Sequence, residues 1–233
     1  MLGLSAALLL GSAVGSTQAA LTFYSENYTA EIKISQIGVT LVENGKDVSC
    51  RNYNGDKWQE ETNRDGDSVY GELLADMVPE GSKLALNKTY NEDLKVRNSG
   101  SIDEYVRVRI YKYWRDPAGN KVTTLSPDLI DLNLVNQGQW IQGSATPECT
   151  ELYHKGILTA GTESAPFADT IRIDGEIASA VEIKTEGNKI TTTYKYDGVT
   201  FHVDVEVDAV QTHNAEDAMK SAWGVDAAAL GIL

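Results

Sequence analysis

Proline, cysteine, histidine and positive charge are all scarce in this sequence, and the charge imbalance narrows the partners that it can have. The 233 residues include 5 prolines, 2 cysteines and 3 histidines, with 34 acidic against 20 basic side chains and a formal net charge of -14. A nucleic-acid partner requires a basic surface, and anionic lipid repels an acidic one. We therefore expect no nucleic-acid partner and no membrane partner for the mature protein.

Catalytic motifs are missing as well. His154, His202 and His213 form no His-Glu-x-x-His pattern, although a zinc hydrolase needs about three converging ligands and an open position for water. There is no Gly-x-Ser-x-Gly elbow and no phosphate-binding glycine loop before a helix. Asn63-Arg-Asp-Gly-Asp67 lacks the spacing and the distal glutamate of an EF-hand, which favours an exposed loop. We expect no enzymatic activity, no cofactor and no metal ion.

The N-terminus carries the one apolar run that resembles a targeting signal. Leu2–Val14 are small and apolar, and Thr17-Gln18-Ala19 puts small residues at the two positions that a signal peptidase reads. The run is too short to span a bilayer stably, and no Lys or Arg precedes it. We expect residues 1–19 to be a signal peptide and residues 20–233 to be secreted as a single domain. The alternative is a buried N-terminal core segment.

Alternating apolar residues predict β-strands along most of the remaining chain. The clearest strand passes through Val106, Val108 and Ile110 to Trp114. A second one, Phe201–Val207, is expected to face the same core. Further strands are predicted at Leu84–Val96, Ile130–Leu134, Trp140–Ile141, Ile171–Ile173 and Ile190–Tyr196.

Turn and cap residues complete the prediction of the fold. Asp197-Gly198 lies between two predicted strands, which is typical of a tight hairpin. Asn214–Trp223 predicts a short helix with Asn214 as its N-cap and Gly224 as its stop. Many strands joined by glycine and asparagine turns predict an all-β chain folded as a β-sandwich with a short C-terminal helix.

Several segments resemble one family of secreted Gram-positive proteins. Gly15-Ser-Thr-Gln-Ala-Ala-Leu-Thr-Phe-Tyr-Ser-Glu26 resembles the signal junction of proteins exported with the dedicated SipW-type peptidase. Lys88–Trp114, Tyr153–Phe167 and the ending Ala209–Gly224 also resemble this family. Together they cover nearly the whole chain, which looks like a TasA/camelysin-type protein. The chain departs from the family pattern in the missing basic start of the signal and in its two cysteines.

The resemblance implies a jelly-roll sandwich that builds extracellular fibres or biofilm matrix. Its partners would be further copies of the same chain, joined head to tail, with a minor accessory matrix protein as a possible addition. Because camelysin-type relatives are classed with proteases, a metallopeptidase is one alternative. Another is a carbohydrate-binding or adhesive module in which aromatic residues form a platform for a sugar ring; these residues are Trp58, Tyr111, Tyr113 and Tyr153.

The residues after the expected cleavage site fit the role of an assembly strand. The segment is Leu21, Thr22, Phe23, Tyr24, Ser25. When it is extended, Leu21 and Phe23 share one face and Thr22 lies on the other, so the segment suits a vacant sheet edge. Donation to the next subunit is head-to-tail and yields a filament. The alternatives are that the segment pairs with its own sheet or frays.

Cys50 and Cys149 are predicted to form a disulfide. Exported chains meet oxidising conditions, and two cysteines can pair within one chain. Two free thiols are the alternative.

Overall fold

The computed structural model describes residues 37–54, 57–60, 73–74, 76–78, 82–179, 181–186, 189–194 and 196–233. Within 49–54, 57–60, 181–186 and 189–194 it describes the backbone alone. The expected signal peptide, the expected assembly strand Leu21–Ser25 and the loop Asn63–Asp67 lie outside the described residues. These predictions therefore stay predictions.

Twelve strands and two helices follow one another in the described part of the chain. The strands are β1 Gly38–Glu43, β2 Lys46–Asn54, β3 Lys57–Glu60, β4 Thr89–Asn98, β5 Glu104–Arg115, β6 Ile130–Leu134, β7 Trp140–Ala145, β8 Cys149–His154, β9 Ala168–Ile173, β10 Val181–Glu186, β11 Lys189–Tyr194 and β12 Thr200–Gln211. The helices are α1 Ala215–Trp223 and α2 Ala227–Leu230, and short 3-10 turns lie at Pro127–Leu129 and Gly175–Ala178. No helix among these residues is long and apolar enough to cross a membrane.

The strands form an all-β sandwich, as the sequence predicts. One sheet has the order β3-β2-β1-β4-β9-β6, the other has the order β12-β5-β8-β7, and β10 pairs with β11. All pairs are antiparallel. Along the chain, the pair β5–β8 lies inside the pair β4–β9, and the two pairs belong to different sheets. This is the arrangement that results when one long hairpin rolls up into two sheets. This nesting gives the sandwich its jelly-roll character.

The core lies between the two sheets because one face of each strand is apolar. Val106, Val108, Ile110 and Trp114 of β5 are at most 2% exposed and point into this core. Val203 of β12 joins the same core. The strand at Val106–Trp114 and its shared core with Phe201–Val207 are thus confirmed.

A second apolar cluster covers part of the outer face of the four-stranded sheet. The two C-terminal helices pack there, and Met219 of α1 and Ile232 after α2 are almost fully buried. They rest on Tyr105 of β5 and Tyr153 of β8. The predicted C-terminal helix is therefore confirmed, and its apolar side packs against the outer face of the sheet.

One local prediction, the hairpin at Asp197-Gly198, is wrong, and another, the N-cap at Asn214, is confirmed in its position but not in a side-chain hydrogen bond. Asp197 and Gly198 do form a turn, and Gly198 has a φ of 74°, but the strands on either side do not pair with each other. Instead, β11 pairs with β10, and β12 runs beside β5 for its whole length. Asn214 precedes α1 in a left-handed conformation with a φ of 52°, and its side chain makes no capping hydrogen bond. The predicted stop at Gly224 is confirmed.

Candidate functional site

The two sheets leave a cavity on the side of the sandwich where β6 and β7 form their edges. Within the described residues, β6 pairs only with β9, and β7 pairs only with β8. The cavity between these edges measures about 220 Å³ and has no charged residue in its lining. Its lining residues are Leu134, Val135, Gln137, Trp140, Ile141, Gln142, Leu152 and Phe167. We call this cavity the seam.

Aromatic packing fixes the floor of the seam. Trp140 and Phe167 are 2% and 0% exposed, and their rings meet edge to face with centroids 5.5 Å apart. The indole N–H of Trp140 donates to the Ala165 carbonyl at 2.9 Å. Asn136 turns the chain from β6 into β7 with a φ of 54° and donates from its side chain to the Pro166 carbonyl. These contacts hold Trp140 and Phe167 in place at the base of the seam.

The wall that β7 contributes is irregular. Its register against β8 shifts between Gln142 and Ala145. At Gly143, an added Cβ would lie 2.5 Å from the Tyr153 ring, which is fully buried. The glycine thus lets the ring lie across the strand, and the shift in register bends this edge of the sheet.

The outer face of the four-stranded sheet carries a ladder of charged and aromatic side chains. Arg107 binds Asp208 with its Nη2 at 2.7 Å from Oδ2, and Arg109 binds Glu206 at 2.8 Å. The Arg107 guanidinium also lies over the Trp223 ring of α1, 5.4 Å from the centroid. These ion pairs link β12 to β5 across the sheet and add modestly to the backbone pairing of the two strands.

The proposed aromatic platform is only partly assembled. Tyr111 and Tyr113 line one groove of about 290 Å³ with Lys121, Glu148, Asp204 and Glu206. One face of Tyr113 is covered by His202, whose ring stacks at 5.0 Å. Tyr153 is fully buried and packs against Trp223, so it cannot join a platform, and that part of the prediction is wrong. The side chain of Trp58 lies outside the described residues. Sugar binding at Tyr111 stays a prediction.

The three histidines occupy different environments. His154 packs against Trp140 at 5.2 Å, and burial lowers its pKa. His154 is thus half-buried. His202 lies on the outer face of the four-stranded sheet, and His213 is exposed. Among the described residues, no group of three or more His, Cys, Asp or Glu side chains is placed to hold a metal ion.

The structure does not form the predicted disulfide. Cys149 is a free thiol at the start of β8, opposite Tyr111 on the outer face of the four-stranded sheet. Cys50 belongs to β2 of the other sheet, where it lies opposite Thr40. The Cys149 side chain points away from the space between the sheets, so a bridge to β2 would require the sheet to rearrange. Burial, followed by the charge of Glu151, raises the pKa of the Cys149 thiol.

Two buried carboxyl groups are functional candidates that sequence reasoning missed. Glu92 of β4 and Glu104 of β5 are both fully buried, and their carboxyl oxygens have no hydrogen-bond partner among the described residues. Desolvation raises the pKa of Glu92 to about 9 and that of Glu104 to about 8. A signal was present, because both residues fall on the inward face of their strands. Glu92 alternates with Tyr90 and Leu94.

No family model, no curated protein and no solved structure matches this chain.

Proposed function

We propose that this chain is a secreted structural subunit that polymerises into an extracellular fibre or biofilm matrix, with the N-terminal strand of one copy inserted into the seam of the next. The observation that carries the proposal is a cavity between two sheet edges that is lined by six apolar residues, two glutamines and no charged residue. The resemblance to TasA/camelysin-type proteins supports the same function.

The topology supports insertion at this place. In the nested arrangement of β4–β9 and β5–β8, the strands β6 and β7 extend each sheet by one further strand. An eight-stranded jelly roll has one more strand beside each of these edges. A donated segment would thus occupy a position that the fold ordinarily fills.

The chemistry of the donor segment matches that of the seam. Leu21 and Phe23 alternate with Thr22, so an extended strand presents both apolar side chains to one side. The half-buried side chains of Leu134 and Val135 offer them apolar contacts, while Gln137 and Gln142 provide a polar rim. Peptides that add to a sheet edge bind through their backbone and gain specificity from alternate side-chain pockets.

The magnitudes indicate that both apolar side chains are needed. Burying one Leu and one Phe contributes about 3–6 kcal/mol together, and each backbone hydrogen bond adds about 0.5–1.5 kcal/mol. Association costs about 4–15 kcal/mol in lost translational and rotational freedom. Since the gain and the cost are comparable, losing either side chain should prevent assembly.

Variants of the donor test the proposal first. Deletion of 21–25, or Leu21→Asp combined with Phe23→Asp, should leave a folded monomer that forms no fibres in sedimentation and negative-stain microscopy. Thr22→Asp is the matched control, because it adds a charge on the opposite face and should polymerise. Normal fibres from the deletion variant would exclude this strand as the donor.

Variants of the acceptor complete the test. Leu134→Arg puts a charge into the seam and should block polymerisation, whereas Asn133→Arg, on the exposed face of the same strand, should not. The deletion variant retains the seam but lacks a strand to donate. A small amount of it should therefore accept the strand at the end of a growing fibre, stop further addition and shorten wild-type fibres. Fibres formed equally well by Leu134→Arg would place the contact elsewhere.

A further inference from the structure

A groove on the outer face of the four-stranded sheet has no function in the proposed assembly. Its volume is about 290 Å³, and it shares no lining residue with the seam. Strands β5 and β12 form its floor, where Tyr111 and Asp204 are paired in the register of the two strands. The complete lining is Tyr111, Tyr113, Lys121, Glu148, Asp204 and Glu206. We call this site the tyrosine groove.

Tyr111 gives the tyrosine groove an aromatic surface. The ring of Tyr113 is already in contact with His202, whose centroid is 5.0 Å away, and with the Arg115 guanidinium at 5.3 Å. Among the described residues, no ring and no cation lies over the half-buried ring of Tyr111. The face of an aromatic ring carries partial negative charge, which attracts the weakly positive C–H groups on one side of a sugar ring.

The polar groups of the tyrosine groove are held in place and keep capacity for further hydrogen bonds. The Tyr113 hydroxyl donates to Oδ2 of Asp204 at 2.8 Å. The ammonium group of Lys121 lies 2.5 Å from Oε2 of Glu148. A carboxylate and an ammonium group each form several hydrogen bonds at once. A sugar hydroxyl both donates and accepts, so the groove offers it partners of both kinds.

The charges around the tyrosine groove are balanced. Each acidic side chain in or beside it has a basic neighbour, either in an ion pair or through the Tyr113 hydroxyl; the basic residues are Arg107, Arg109, Lys121 and Arg115, and their acidic neighbours are Asp208, Glu206, Glu148 and Asp204. A charged ligand would have to compete with these contacts, whereas a neutral ligand leaves them intact. The groove therefore suits a ligand that is polar and uncharged.

We propose that the tyrosine groove binds one neutral hexose unit of a polysaccharide, which stacks on Tyr111 while its hydroxyl groups bond to Asp204 and Lys121. Ligand pockets usually measure about 300–1,000 Å³, so a groove of about 290 Å³ fits a single sugar ring. Because Asp204 and Glu206 are exposed, the next sugar units of the polymer continue into solvent. This inference is independent of fibre assembly, since the seam lies elsewhere on the sandwich.

Titration of the mature protein with neutral trisaccharides tests the proposal. Binding of cellotriose, maltotriose, laminaritriose and mannotriose is measured by calorimetry and by NMR of the isotope-labelled protein. We expect at least one of them to saturate and to shift the amide signals of Tyr111 and Asp204. Tyr111→Ala should weaken this binding by about tenfold or more, and Tyr111→Phe, which keeps the ring, should restore most of the affinity. Asn133→Ala, at an exposed position on the other sheet, should bind as the wild type does.

Cys149 provides a second measurement that needs no substitution in the groove. It lies opposite Tyr111 in the β5–β8 register, so the two side chains share the outer face of the sheet. Cys149 is a half-buried free thiol. A sugar stacked on Tyr111 should therefore slow alkylation of Cys149 severalfold, as followed by mass spectrometry of its peptide. This measurement decides the question even if Tyr111→Ala fails to fold.

Four outcomes would overturn the proposal. The first three are no binding of any of these trisaccharides, unchanged affinity in a folded Tyr111→Ala, and binding that leaves the alkylation of Cys149 unaffected. The fourth is tighter binding of trigalacturonic acid or of a glucosamine trimer than of every neutral trisaccharide, which would assign the groove to a charged ligand instead.

Discussion

The two buried carboxyl groups predict that this protein loses stability as the pH rises from acidic to neutral. In the unfolded chain both groups titrate at the ordinary value of 4.5, whereas in the folded chain the pKa of Glu92 is about 9 and that of Glu104 is about 8. Between these limits the folded state binds more protons than the unfolded state does. Linkage then makes the free energy of unfolding fall with increasing pH.

The magnitude follows from the width of this window. Each group contributes a slope of about 1.4 kcal/mol per pH unit while it is protonated only in the folded state. From about pH 5 to about pH 7 the two groups together remove roughly 5 kcal/mol, which is comparable with the whole stability of a typical domain. Other titrating groups also change the slope of the free energy of unfolding against pH. The prediction is therefore tested by comparing the slopes of the wild type and its variants.

Urea denaturation followed by tryptophan fluorescence provides the assay. We expect the wild type to be most stable near the acidic end of the range. Glu92→Gln and Glu104→Gln should each flatten the pH dependence, and the double variant should flatten it further. A conserved slope in the double variant, with unchanged cooperativity, would refute the view that these carboxyls are neutral in the folded state.

Three other measurements follow from the structure. Gly143→Ala should destabilise the protein by about 1–3 kcal/mol, because its Cβ meets the buried Tyr153 ring, whereas Gly138→Ala, with open space around it, should be neutral in thermal unfolding. The half-buried Cys149 thiol should be alkylated more slowly in the native than in the unfolded protein near about pH 8, because its pKa is raised. Unfolding without reductant should expose the thiol fully. A Cys149 that stays unmodified until reductant is added would instead show a disulfide. Metal-supplemented protein should release no peptides from casein, and chelator-sensitive cleavage that is also lost when all three histidines are replaced would contradict a purely structural function.

Periodicity in the sequence predicted the class of fold and many of the strands, because side-chain alternation is a local property of an extended chain. The strands β2, β3, β8 and β10 lay outside the predicted strands. The strand from Val106 to Trp114, the strand at Phe201–Val207 and the helix before Gly224 were all predictable in this way. The seam was not predictable, since it depends on which strands end each sheet, and strand order is set by contacts between distant parts of the chain.

Tertiary structure decided the pairings and the environments of individual side chains. Asp197-Gly198 has the composition of a hairpin turn, but β12 gains far more from pairing along all of β5 than a local hairpin would offer, so the turn joins two different sheets. Cys149 is kept from Cys50 because its strand turns it outward. Glu92 became a buried acid because its side of β4 faces the core, and no local pattern reveals that Glu43 of β1 lies diagonally opposite. A sequence fixes which faces of its strands are apolar, whereas what each face meets depends on long-range packing.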